Sequence, residues 1–119
     1  MTMNFNVEFY ETVAGGSPVR DFLDELKKND SDDFAAVLAG LDKLRNRQYH
    51  RPPLSKSVGN KLFELRHVGK LNTRVLYFFV RGWRIVAVHG IRNKAWDIPV
   101  RDRRTAVARM EDWLARAGQ

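Results

Sequence analysis

The 119-residue chain contains no cysteine. Disulfides, thiolate-ligated metals and thiol redox chemistry are thereby excluded, and a reducing cytoplasm is the expected setting. Apolar runs are short: Val75 to Val80 spans six residues, against the roughly 18–20 that cross a bilayer, so no membrane association is expected. The opening MTMNFNVEFYE has neither the basic start nor the apolar stretch of a signal peptide. Histidine is scarce: His50, His67 and His89 stand far apart, without metal-ligand spacing or a carboxylate pair. No metal and no other cofactor is expected. There is no Gly-rich phosphate loop and no GxSxG, and no serine lies beside a plausible base, so nucleophilic acyl chemistry has no support.

The chain does have material for a core. Hydrophobic residues make up 44% and charged residues 29%, which suits one folded domain over residues 1–119 and is no disordered tail. Lys and Arg number 21 against 14 Asp and Glu, and the imbalance is one-sided. Residues 1–60 carry 8 basic and 9 acidic side chains, whereas residues 61–119 carry 13 and 5. A basic excess confined to one half suggests a face for a polyanion, since neutralising phosphates releases counterions.

Alternation and aromatic content predict a first strand over Phe5 to Tyr10. Gly15-Gly16 breaks it, and Ser17-Pro18 opens a short helix to about Lys28, with Val19, Phe22, Leu23 and Leu26 on one side. Ser31 is the expected cap of a second helix whose apolar stripe is Phe34, Val37, Leu38, Leu41 and Leu44. His50 to Asn60 (HRPPLSKSVGN) reads as loop. Three strands follow, Lys61 to His67, Thr73 to Val80 and Arg84 to His89, joined by turns at Gly69 and Arg81-Gly82 into an antiparallel meander. The middle one is apolar on both faces except at Arg74, which makes it the central strand. After an aperiodic stretch ending at Pro99, Asp102 is the expected cap of a last helix, with Ala106, Val107, Met110, Trp113 and Leu114 as its buried stripe. The order β-α-α-β-β-β-α is that of an α+β domain, with helices packed on a small antiparallel sheet.

In such a meander the end of one strand lies beside the start of the next. Arg66 and Arg74 are then neighbours, Lys70 sits in the turn between them, and His89 returns to the same end of the sheet. Arg92 lies in the stretch after the last strand, and Lys94 extends from that loop. Like charges crowd in this way where a polyanion lies among them. The plain alternative is that Arg66 and Arg74 sit on solvated rims and His89 is a satisfied half-buried histidine. Trp83 and Trp96 have the same two readings, packing or stacking on a base. Arg84 and Arg103 are expected outside the cluster.

These residues also carry a resemblance. Lys61 to Arg66 (KLFELR), Thr73 to Tyr77 (TRVLY) and Val88 to Pro99 (VHGIRNKAWDIP), with Ala106 to Arg109 in the last helix, resemble the RelE/ParE superfamily of bacterial toxins, in particular its HigB-like, phage-derived branch. The likeness covers residues 61–116, and Ser17 to Leu23 (SPVRDFL) fits the same branch. Asn93-Lys94 stands where the branch has paired lysines, Ile91 where it has Phe, Ile98 where it has Thr, and Thr73 where it has an aromatic residue.

The resemblance implies a RelE-like fold and the toxin of a type II toxin–antitoxin system. Such a toxin cleaves mRNA, usually on the ribosome, and is neutralised by a helix-turn-helix antitoxin, here with a heterotetramer as the possible complex. Attack of a ribose 2′-hydroxyl on its own 3′-phosphate needs no metal. It needs proton removal, charge stabilisation and a proton for the leaving 5′-oxygen. Arg66 and Arg74 are the expected phosphate forks, His89 the proton exchanger and Lys94 the acid or a further phosphate contact. Lys61, Lys70, Arg92 and Trp96 are the expected RNA contacts. A ParE-like gyrase inhibitor and a binding module without catalysis, the latter suggested by the missing second lysine, are the alternatives.

Overall fold

The computed structural model describes residues 4–117; the first three residues of the opening segment and residues 118–119, the two ends of the expected domain, lie outside the described residues. The chain runs β1 (Asn6–Phe9), α1 (Pro18–Asn29), α2 (Ser31–Lys43), a 3₁₀ turn (Arg47–Tyr49), β2 (Ser55–Gly59), β3 (Leu62–Val68), β4 (Asn72–Val80), β5 (Arg84–Asn93) and α3 (Val100–Arg116). It is an α+β fold with one five-stranded sheet in the order β1-β5-β4-β3-β2. Strand β1 pairs parallel with β5, and every other pairing is antiparallel.

Helices cover both faces of the sheet, which is why β4 is apolar throughout. On one face Val19, Leu23 and Leu26 of α1 and Val37 and Leu41 of α2 pack on Leu65, Val75, Tyr77, Ile85 and Ala87. On the other, Ala106 and Met110 of α3 pack on Leu62, Leu76, Phe78, Val86 and Val88. Helix α1 crosses β5 so closely that a Cβ at Gly90 would collide with the ring of Phe22, so glycine is required there by space.

Four local expectations change. The segment read as loop contains β2, an edge strand too polar to show a period; its exposed Lys56 is a common way to blunt an edge. Helix α2 is capped by Asp30, whose side chain accepts from the Asp33 amide at 3.0 Å, while Ser31 is its first helical residue. Strand β5 continues past His89 to Asn93. Helix α3 begins at Val100, so Asp102 lies inside its first turn and is free for another partner.

Candidate functional site

Register places Arg66 of β3 directly opposite Arg74 of β4, with Ile91 of β5 next in the row. One row inward, Glu64, Leu76 and His89 stand side by side across the same three strands. Both rows face α3 and the segment leading into it. Strand spacing sets Glu64 and His89 roughly 10 Å apart, flanking the position of Leu76.

Arg74 is 0% exposed. Its Nη2 donates to Asn93 Oδ1 at 2.5 Å and its Nη1 to the Trp96 carbonyl at 3.2 Å, and its Nε has no partner. Arg66 Nη2 donates to the same Trp96 carbonyl, also at 3.2 Å. Two guanidinium groups therefore converge on one oxygen atom. Burial lowers the pKa of Arg74, with the Glu64 carboxylate opposing the shift; it stays a cation at neutral pH.

Glu64 makes the pair of arginines tolerable. Its carboxylate is 1% exposed, and its Oε1 lies 3.1 Å from Arg66 Nη2 and 3.7 Å from Lys56 Nζ. Its Oε2 is buried without a partner. A single buried anion in contact with Arg66 and one row from Arg74 offsets part of their repulsion and leaves a net positive site. A cleft of about 190 Å³, lined among others by Glu64, Arg66, Trp96, Asp97 and Arg103, opens beside them. The Trp96 side chain is 67% exposed, with the Arg66 guanidinium 5.6 Å from its ring centroid.

His89 is held from both sides. Its Nδ1 accepts from Arg109 Nη1 at 2.9 Å, and its Nε2 donates to Asp102 Oδ1 at 2.7 Å. Arg109 also donates to the Val88 carbonyl at 2.9 Å, so the imidazole is locked to α3. A ring that accepts at one nitrogen and donates at the other is neutral, with its proton on Nε2.

The expected site residues thus divide. Arg66, Arg74 and Trp96 meet directly. Lys70 and Lys94 are exposed at the same end of the sheet, in the β3–β4 turn and just after β5. Lys61 lies in the β2–β3 turn at the opposite end, with a left-handed backbone at φ 65°. Arg92 lies on the other face of the sheet, where its Nη2 donates to Asp30 at 3.0 Å and Asp33 at 3.1 Å. Arg103, expected outside, lines the cleft and donates to the Val58 carbonyl at 2.5 Å. Trp83 packs at the far turn, 4.9 Å from Phe5 and under Arg47.

Sequence reasoning missed Glu64, Asn93 as acceptor for Arg74, and the Asp102–Arg109 clamp on His89. Asp102, Ala106 and Arg109 recur at helical spacing, so their common side of α3 was legible. Among the described residues, no group of three His, Asp or Glu side chains is placed to hold a metal ion, and no helix is long and apolar enough to cross a membrane.

No curated protein matches the sequence. The family model described as "Phage derived protein Gp49-like (DUF891)" matches residues 21–111, a span that takes in most of α1, all of α2, strands β2 to β5 and most of α3. The chain belongs to this Gp49-like phage-derived family, a RelE/ParE-like toxin family.

Proposed function

We propose that the protein is a toxin of the HigB-like branch that cleaves mRNA endonucleolytically, in the cytoplasm and on the ribosome, and is neutralised by a helix-turn-helix antitoxin. The observation that carries this reading is the convergence of Arg66 and Arg74 on one carbonyl oxygen. A phosphate oxygen has the same hydrogen-bonding needs and a full negative charge, so RNA replaces the Trp96 carbonyl once the segment after β5 gives way.

Charge development at phosphorus is met by the two guanidinium forks. The 2′-hydroxyl proton passes to a base as its oxygen bonds to phosphorus. The bond to the 5′-oxygen then breaks, and that oxygen takes a proton, leaving a 2′,3′-cyclic phosphate and a 5′-hydroxyl. Glu64 and His89 are the two proton-exchanging groups beside the arginines. His89 takes part only after Arg109 releases Nδ1. Glu64 has an unpartnered oxygen already and is therefore the better acceptor. Lys94, exposed just after β5, is placed to contact the phosphate or to supply the proton that the leaving 5′-oxygen takes.

The reading is tested by inducing the chain without its antitoxin. Growth and translation should stop within minutes, and primer extension should show discrete new 5′ ends within translated regions. Intact RNA together with double-strand DNA breaks would transfer the protein to gyrase inhibition. Undisturbed growth at high yield would leave a module without catalysis.

A further inference from the structure

A cavity larger than the arginine cleft adjoins it among the described residues. It lies on the outer side of Arg66, between the 3₁₀ turn and the end of β3, and measures about 610 Å³. That is the size of a small-molecule site. Its walls combine Tyr49, Leu54 and Val68 with Lys43, Arg51 and Arg66, and no carboxylate lines it. The three cations come from separate elements: the end of α2, the loop before β2, and β3. Lys43 Nζ lies 5.7 Å from the Tyr49 ring centroid. Val68 is 56% exposed there, an apolar surface left open at a strand end. A lining that joins apolar and aromatic side chains to three cations and holds no carboxylate has the chemistry of a nucleotide site, taking a base on the apolar surface and a phosphate at the cations.

The cavity and the cleft share Arg66 in their walls. A smaller void of about 90 Å³, lined by Leu54, Lys56, Glu64 and Arg66 among others, adjoins it. Glu64, Lys56 and Arg66 then continue into the cleft beside Trp96. Arg66 forms part of the wall of all three. The carboxylates along this route, Asp97 and Glu64, lie at the cleft and the small void and none lines the larger cavity, so a single strand with one phosphate at the arginine pair can continue past Arg66.

We propose that this cavity is a second nucleotide subsite, which receives an unpaired base and phosphate of single-stranded RNA flanking the scissile bond. The subsite rests on the RNA-cleaving reading above. It adds a specificity-determining surface, built on Tyr49 and Arg51, that is separate from the groups acting on the phosphate.

The test uses the full chain and non-cleavable 2′-O-methyl hexanucleotides, with an abasic spacer moved through each position. One spacer outside the scissile step should weaken binding to the unaltered protein about tenfold. Tyr49→Ala should bind the intact hexamer about tenfold more weakly and become indifferent to that spacer, while Tyr49→Phe behaves as the unaltered protein. Arg51→Gln, at an exposed loop position, should reduce the slope of log affinity against log salt by about 0.7. Thermal melting confirms that each variant is folded. If both variants bind every hexamer as the unaltered protein does, while Arg66→Ala binds weakly, the subsite is overturned and the cleavage reading stands. If the unaltered protein binds no hexamer, the subsite is overturned; the cleavage reading falls only if mRNA also stays intact after induction. Competition by a poly-glutamate peptide as strong as that by RNA, with no dependence on any base, overturns the proposal in favour of an acidic protein partner.

Discussion

Replacing Arg74 by alanine separates folding from chemistry most sharply. The substitution removes two hydrogen bonds from a fully buried cation, to Asn93 Oδ1 and to the Trp96 carbonyl. Bonds from charged groups contribute roughly 1.5–3 kcal/mol each. Against that loss, a desolvated charge and its repulsion with Arg66 disappear, and Glu64 keeps Arg66 and Lys56 as partners. The net cost is about 2–4 kcal/mol, within the roughly 5–15 kcal/mol that a domain has. Arg74→Ala therefore stays folded and melts about 10 °C lower.

Its rate of RNA cleavage, measured well below that melting point, should fall by about 10²–10³, the usual loss for one donor aimed at developing charge. Arg74→Lys keeps the charge, but one ammonium cannot reproduce the fork; it should recover part of both losses. Asn93→Ala loosens the same segment without removing the guanidinium, and should lower the melting point with a smaller loss of rate. Arg81→Ala, exposed at the far turn, should change neither. A folded Arg74→Ala protein with full cleavage activity would refute the placement of the phosphate between the two arginines.

Other expectations follow from the same geometry. Glu64→Gln should lower the cleavage rate more than His89→Gln does; the reverse order makes His89 the base. Gly90→Ala should lower stability by roughly 1–3 kcal/mol in urea unfolding, because the added methyl collides with Phe22. Burial raises the pKa of Asp33, but donation from Arg92 and His67 outweighs it, so the pKa lies below the usual carboxylate value. A depressed carboxylate stabilises the fold above its unfolded pKa of about 3.9, and that contribution is lost as pH falls through the folded value. Urea midpoints should accordingly drop below about pH 4 in the unaltered protein, and more shallowly in Asp33→Asn.

The parts of the fold legible in the sequence are those with long apolar patterns. The uninterrupted run from Val75 marks β4 as the centre of the sheet, and the stripes of α1 and α2 give the helical hairpin. The opposition of Arg66 and Arg74 follows from one short turn and a meander. Strand β2 was hidden because an edge strand takes its hydrogen bonds from β3 and needs little apolar surface of its own.

The faces of β5 were hidden by a bulge. The β4–β5 register shifts between Leu76 and Tyr77, so Val88 is an extra residue. Alternation counted from Ile85 would put His89 with Ala87 on the hairpin side and Arg92 on the α3 side. The bulge reverses both, giving His89 to Asp102 and Arg109 and Arg92 to Asp30 and Asp33. Glu64 escaped notice for a different reason: a lone glutamate in a strand resembles a solvated residue until the arginine opposite its neighbour is seen to be buried.

The most direct measurement is end-group analysis of a defined mRNA incubated with the purified chain and ribosomes, in parallel with Arg74→Ala. Discrete cuts ending in 2′,3′-cyclic phosphate and 5′-hydroxyl, lost with Arg74→Ala, are the predicted result. Intact mRNA, or cuts that leave 5′-phosphates or persist unchanged in the variant, would contradict cleavage by 2′-hydroxyl attack at the arginine pair.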